Sequence, residues 1–394
     1  MFYSLSPNFL QADPSIRILA QKKIPDSLIN KWVDCVSRMN IGNHLETYYS
    51  NTIKTQDTCH YVEIRDATAI YLPLPNGETR AFLFSSDGLL LLEPSVNRVF
   101  LRCFPIFANI TKNSLDLLIS PEVFKSAIID RIDYPIYWSP ENSNYLHFIA
   151  DTVAPHLCIN GSLYGGVSDS RHIISLNCPL HSWQRELLSL IGLSQDPRLL
   201  AIYLQNKGRP YAVRYSCIYL PVVESVPYRI HTFRNFIKEY SIDSGINTFS
   251  RRSEPPPLLF LDRNDNRSRR IANKSEIISH LSHYGLRVVN PVSLSLRQKL
   301  QYFSGVRIFI AEGSSSANFM FFSQSSSSMI LLADDNLYVK PEFIIGGWPY
   351  FIATLANTLI VRGLKYGIIP GSPMASSTYP SIEINGIVQD IINN

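Results

Sequence analysis

Charge is scarce in this chain. Only 17% of its 394 residues are Asp, Glu, Lys or Arg, and the formal net charge is +4. So small an excess of positive charge gives no electrostatic footprint for nucleic acid, and none is expected as a partner. Long apolar runs are missing as well. No stretch approaches the ~18 residues of a membrane-spanning helix, and no basic-then-apolar leader opens the chain, since Asp13 and Pro14 arrive early. The expectation is a cytoplasmic protein, with peripheral association with a membrane left open. The six cysteines, Cys35, Cys59, Cys103, Cys158, Cys178 and Cys217, form no CxxC pair and no metal-ligand spacing with histidine. That pattern excludes a zinc module and a disulfide scaffold, leaves buried free thiols, and implies no metal site. No repeat of solenoid period is visible. With 45% hydrophobic residues, the chain is long enough for two domains.

What is present is alternation of strands and helices, clearest toward the C-terminal end. Pro257-Leu-Leu-Phe-Leu-Asp262 reads as a buried strand. Asn273-Lys-Ser-Glu276 has the spacing of a capping box, and Ile277, Ile278, Leu281 and Tyr284 follow at helical spacing up to Gly285. Leu286-Arg-Val-Val289 is the next strand, and Ser293 or Ser295 caps a helix through Leu296, Leu300 and Phe303. Val306 to Glu312 enters the Gly313-Ser-Ser-Ser-Ala-Asn318 loop, Phe319-Met-Phe-Phe322 has helical character, and Met329 to Ala333 is a last strand. Short links between strands and helices predict a doubly wound, mostly parallel sheet.

The first part of the chain has another character. Tyr61 to Ile64, Ala69 to Pro73, Ala81 to Phe84 and Leu89 to Leu92 read as short strands, the later ones joined by Asn76-Gly77 and Asp87-Gly88 hairpin turns. From about residue 135 the alternation resumes. Ile136 to Trp138 is a strand and Asn144 to Ala154 a helix. His172 to Leu176 is a strand, Trp183 to Leu190 a helix, and Ala201 to Leu204 and Cys217 to Leu220 are strands. Arg229 to Tyr240 is helical, ahead of a polar, Pro-rich connection where the domain boundary is expected, and the alternative is that this helix belongs to the second domain. The predicted domains are residues 1–240, with a β-rich part (1–130) and an α/β part (131–240), then residues 241–350. A tail, residues 351–394, is expected to cross back to the first domain.

Two groups of residues have the character of a site. At the carboxyl end of the Ile136 strand, His147 and Asp151 stand four apart on a helix and share a face. A carboxylate beside an imidazole fixes its tautomer and raises its basicity, as a general base requires, although the same spacing suits a core histidine held by its neighbour. In the second domain, Gly313, Ser314, Ser315 and Asn318 lie where a helix start meets a strand end. Their small side chains let an anion approach the backbone. Arg263 and Arg269, in an Arg-rich stretch at another strand end, suit a pyrophosphate, or else form a solvated loop.

Taken together, Ser143-Asn-Tyr-Leu-His147-Phe, Arg263, Arg269-Arg270, Asn273-x-x-Glu276, Tyr284-Gly285-x-x-Val288-Val289 and Gly313-x-x-x-x-Asn318 resemble the family 61 glycosyltransferases over about residues 135 to 335. The resemblance implies a GT-B fold, two Rossmann-like domains facing a cleft, with the nucleotide-sugar donor in the second. It also implies inversion without an obligatory metal or other cofactor. Its partners would be a nucleoside diphosphate sugar and a glycan or lipid-linked glycan acceptor, in bacterial capsular or lipopolysaccharide assembly. His147 would be the base and Asp151 its partner, while Arg263, Arg269, Glu312, Gly313, Ser314, Ser315 and Asn318 would hold the donor. Many members have histidine before the glycine where this chain has Glu312, a group that can accept from ribose hydroxyls but cannot donate to phosphate. A polysaccharide pyruvyltransferase-like enzyme and a non-catalytic scaffold are the other readings.

Overall fold

The computed structural model describes residues 2–4, 16–38, 43–73, 79–84, 86, 90–92, 108–110, 115–117, 128–138, 145–159, 172–174, 180–195, 197–223, 225–243, 258–262, 270–312, 319, 321–323, 327–334, 357–368 and 375–393. The chain is mixed α/β and divides into two compact units. One is Met1–Lys23 with Thr58–Glu224, and the other is Ile24–Asp57 with Ser225–Asn394.

The first unit is built on a long antiparallel pair, Thr58–Pro73 against Tyr211–Val223, continued by parallel strands Ile136–Trp138, His172–Ile174 and Ser194–Gln195. The two short strands expected at Tyr61 and Ala69 are one strand. The reason is Asp66, at φ 50°, a left-handed conformation that Asp tolerates better than most residues. Around it the buried face changes phase, from Val62 and Ile64 to Ala67, Ala69 and Tyr71. The partner strand changes in step, from Tyr211, Val213 and Tyr215 to Ile218, Leu220 and Val222. Broken alternation therefore reads as two strands where the ladder is continuous. Tyr71 and Tyr215 share a buried hydrogen bond of 2.6 Å between their hydroxyls, which keeps both phenols satisfied in the core.

Ala201 to Leu204, expected to be a strand, lies within the helix Pro197–Gln205. Leu199, Ile202 and Tyr203 are its buried residues, a 3–4 spacing that a run of four apolar residues conceals, and proline opens the first turn. Leu199 and Ile202 pack on one face of the sheet. On the other face, the helix Ala154–Ile159 brings His156 edge-on to Tyr137, at 5.5 Å between ring centroids.

In the second unit the strand order is Arg270–Ile271, Ala375–Thr378, Asn357–Ile368, Ser328–Asp334, Ile308–Glu312, Leu258–Leu261, Arg287–Val289. The last five in that order are parallel throughout. In chain order these five run 2-1-3-4-5 across the sheet, a doubly wound topology. Leu258, Phe260, Ile308, Ile310, Ile330 and Leu332 lie in one core with Ile277, Leu281, Ile384 and Val388 from two helices. Buried strands of this kind read as near-continuous apolar runs, which is why the sequence reveals them so plainly.

Of the two placements open for the helix before the linker, the fold takes the second, ahead of the expected boundary at residue 240. The division falls at Glu224/Ser225, so the helix Val226–Asp243 belongs to the second unit. Phe233 meets Phe322 edge-on at 5.9 Å, and Arg234 donates to the Ser323 carbonyl at 3.2 Å. The helices Asp26–Arg38 and Asn43–Thr55 join this unit too, with Trp32 against His231 at 6.1 Å. The expected crossing tail instead builds the second unit's own sheet. Asn357–Ile368 pairs with Ser328–Asp334, Ala375–Thr378 pairs with it in turn, and the helix Ser381–Asn393 supplies Ile384 and Val388 to the core.

Candidate functional site

The catalytic pair expected from the sequence stands in the first unit. The chain leaves the strand Ile136–Trp138 and becomes helical at Tyr145–Phe148, then winds as a π turn over Ile149–Val153, then as α-helix over Ala154–Ile159. Pro155 explains the change in winding. It has no N–H for the carbonyl four residues back and its ring crowds that carbonyl, so the helix widens and Ala154 N–H bonds to Ile149 O, five back. Asp151 is in the π turn and half-buried, beside buried Ala150 and Thr152. Of His147 only the backbone is among the described residues, in the turn before. The α-helical spacing from which their common face was read thus does not carry unchanged across the pair. Trp183 braces this helix, with Tyr145 at 4.9 Å and Phe148 edge-on at 5.3 Å. Burial, with Glu186 adding to it, pushes the Tyr145 phenol far up, so it stays a neutral packing group.

Near this helix, Cys217 and Tyr219 stand over Glu63 and Arg65. Arg65 Nε donates to Glu63 at 2.7 Å. Burial pushes the Cys217 thiol up to about 11, with the Glu63 carboxylate adding to it, so it is a poor nucleophile at neutral pH. Of the described thiols, Cys59 and Cys158 are buried and Cys217 is half-buried, and none of the three is in a disulfide.

The residues expected to hold the donor belong to the second unit. Strand order reverses between Leu258–Leu261 and Ile308–Glu312, whose chains leave toward opposite sides of the sheet. In an open α/β sheet the crevice beyond the carboxyl ends at this point is where ligands bind. Arg263 comes two residues after Leu261, and Gly313 directly after Glu312. Glu312 closes its strand opposite Leu332, with its backbone alone described. Arg263, Arg269, Gly313, Ser314, Ser315 and Asn318 lie outside the described residues. The helix expected at Phe319 to Phe322 is corrected: the described residues Phe319, Phe321 and Phe322 are in 3-10 geometry. Phe319 and Phe322 are held in the core against Phe303, at 6.4 and 6.5 Å.

Asn273 and Glu276 are also corrected. Asn273 makes no side-chain cap for the helix Lys274–Leu281. Its amide instead brackets the Tyr379 backbone, donating to the carbonyl at 2.7 Å and accepting from the N–H at 3.0 Å. Glu276 accepts from the Ser381 hydroxyl, and this bond, with that from Asn273, holds its carboxyl below the usual range. Sequence reasoning missed a further pair at the strand end, Asp262 and Lys274, joined at 2.8 and 3.0 Å. Its signal was a lysine in the first helical turn, where an acidic residue is usual.

Residues 145–330 match the model of the family described as Glycosyltransferase 61. The protein is therefore a glycosyltransferase. Within that class, the matched stretch is a family 61 glycosyltransferase domain, and it runs from the helix of His147 through the strand order reversal. No curated protein matches the chain. Among the described residues, no helix is long and apolar enough to cross a membrane.

Proposed function

We propose that the protein is an inverting, metal-independent glycosyltransferase. It moves a sugar from a nucleoside diphosphate sugar to a glycan or lipid-linked glycan acceptor during surface polysaccharide assembly, on the cytoplasmic side of a membrane. The observation that carries the donor assignment is the reversal of strand order between Leu258–Leu261 and Ile308–Glu312, inside the family match. The family resemblance supports the inverting course, the absence of a required metal and the pathway.

In this reading Arg263 and Arg269 bond to the diphosphate, and the Gly313-Ser314-Ser315 backbone and Asn318 close around it. Glu312 accepts from the ribose hydroxyls. The acceptor oxygen attacks the anomeric carbon from the face opposite the leaving group. Its proton passes to His147, whose developing charge Asp151 stabilises, and the bond to the diphosphate breaks with its electrons going to phosphate. Positive charge of Arg263 and Arg269 beside the departing phosphate lowers the barrier because negative charge grows there.

Titration calorimetry with nucleoside diphosphates tests the donor site. Wild type binds at least one, and Arg263→Ala weakens it by about 10- to 100-fold, the range of a lost charge-assisted hydrogen bond. Undiminished affinity in the variant removes Arg263 from the site, and no binding by wild type overturns the reading.

A further inference from the structure

The switch point carries one ion pair that the donor assignment does not use. Asp262 directly follows the strand Leu258–Leu261, and its N–H still bonds to the Val289 carbonyl at 2.9 Å, so its backbone is fixed by the sheet. Lys274 opens the helix Lys274–Leu281, and its ammonium reaches both Asp262 oxygens, at 2.8 and 3.0 Å. The two residues bracket the segment that holds Arg263, Arg267, Arg269 and Arg270.

Two features of this pair ask for a reason. A cation in the first turn of a helix opposes the helix dipole, and it is usually found in the last turn instead. Glu276, the ionised acidic residue of this turn, held by Ser381 and Asn273, offsets part of that cost, and Asp262 supplies the direct partner. Second, Asp262 meets the ammonium with both carboxylate oxygens, and the Lys274 side chain keeps 36% of its surface exposed while that of Asp262 keeps 17%. A locally unfavourable placement, held by a carboxylate and left open on one side at a ligand crevice, marks a functional position more than a stabilising one.

We infer that Lys274 is a phosphate-binding residue of the donor site and that Asp262 is its positioning residue. The ligand class is a diphosphate ester or pyrophosphate, whose oxygen accepts from the exposed side of the ammonium. Asp262 lowers the number of positions the flexible lysine samples, so less freedom is lost when the anion arrives. This inference rests on the donor assignment proposed above. The competing role for the pair is a latch that closes the Arg-bearing segment at its base, with no contact to ligand.

Calorimetry on the full chain separates the two, using the best-bound nucleoside diphosphate, its monophosphate, its nucleoside and inorganic pyrophosphate. Lys274→Gln weakens the diphosphate and pyrophosphate roughly tenfold or more and leaves the nucleoside unchanged. Lys274→Arg keeps most of the diphosphate affinity. Asp262→Asn gives a smaller loss, again confined to ligands that carry phosphate. Equal losses for nucleoside and diphosphate in both Lys274→Gln and Asp262→Asn identify a latch and overturn the inference, as does unchanged diphosphate affinity in Lys274→Gln. Wild type that binds neither diphosphate nor pyrophosphate overturns the donor assignment itself, an outcome distinct from the other two.

Discussion

Tyr379 is held from two sides, and this makes a quantitative prediction. Its backbone sits in the bracket of the Asn273 amide, with bonds of 2.7 and 3.0 Å. Its ring lies against Gly363 of the neighbouring strand, so close that a Cβ on Gly363 would stand 2.5 Å from Tyr379 Cε1. Asn273→Ala removes two partly buried hydrogen bonds, each worth a net ~1 kcal/mol, for a loss of about 2 kcal/mol. Gly363→Ala forces the ring aside, and overpacking of this kind costs roughly 1–3 kcal/mol, partly offset by the ~0.5–1 kcal/mol that alanine gains over glycine within a strand. The ring cannot simply withdraw in the single variant, because Asn273 holds the backbone that carries it. In the double variant the backbone is released and the ring can yield. The double loss should therefore fall short of the sum by ~0.5 kcal/mol or more, as for coupled neighbours. Chemical denaturation of the four proteins, following a probe in the second unit, gives all three quantities. Strict additivity, or an Asn273→Ala loss below ~0.5 kcal/mol, refutes the bracket as the support of Tyr379.

The remaining predictions concern pH and catalysis. Burial, with Arg234 and Lys31 nearby, lowers the His231 pKa below its ordinary 6.5. As pH falls below that value the unfolded chain takes up a proton that the folded chain refuses, so stability is present above it and lost on acidification. His231→Gln should flatten the fall in melting temperature between about pH 7 and 5, and an unchanged slope would assign it elsewhere. His147→Ala should leave donor affinity intact and lower turnover by ~10²–10⁴-fold, with Asp151→Asn lowering it less. Near-normal turnover in His147→Ala makes it a core histidine.

Much of the second unit was legible because its strands are buried on both faces. Leu258–Leu261, Ile308–Glu312 and Ser328–Asp334 announce themselves as apolar runs, and Gly285 ends its helical segment at φ 75°, as a C-terminal glycine does. The cap at Ser295, bonded to the Gln298 N–H at 3.2 Å, was equally local. Local signals failed where distant groups competed. Asn273 and Glu276 have the spacing of a capping box, yet Tyr379 and Ser381, more than a hundred residues away, take them. Pro155 was visible, but the π turn it causes around Asp151 alters a spacing argument that assumed uniform winding.

By itself, then, the chain determined its element types in the buried parallel sheet, the absence of metal-binding cysteine patterns, and the residue motifs that carry the family resemblance. These depend on periodicity, composition and short-range sterics, which neighbours in sequence settle. Only the tertiary structure decided the order 2-1-3-4-5, and with it which strand ends meet at the crevice. It also decided that Ile24–Asp57 and the tail join the second unit, and that Lys274 is tethered to Asp262. Those outcomes follow from which apolar faces are mutually complementary and which polar groups find partners far along the chain. No local rule encodes them, because burial is a property of the assembled core rather than of any segment.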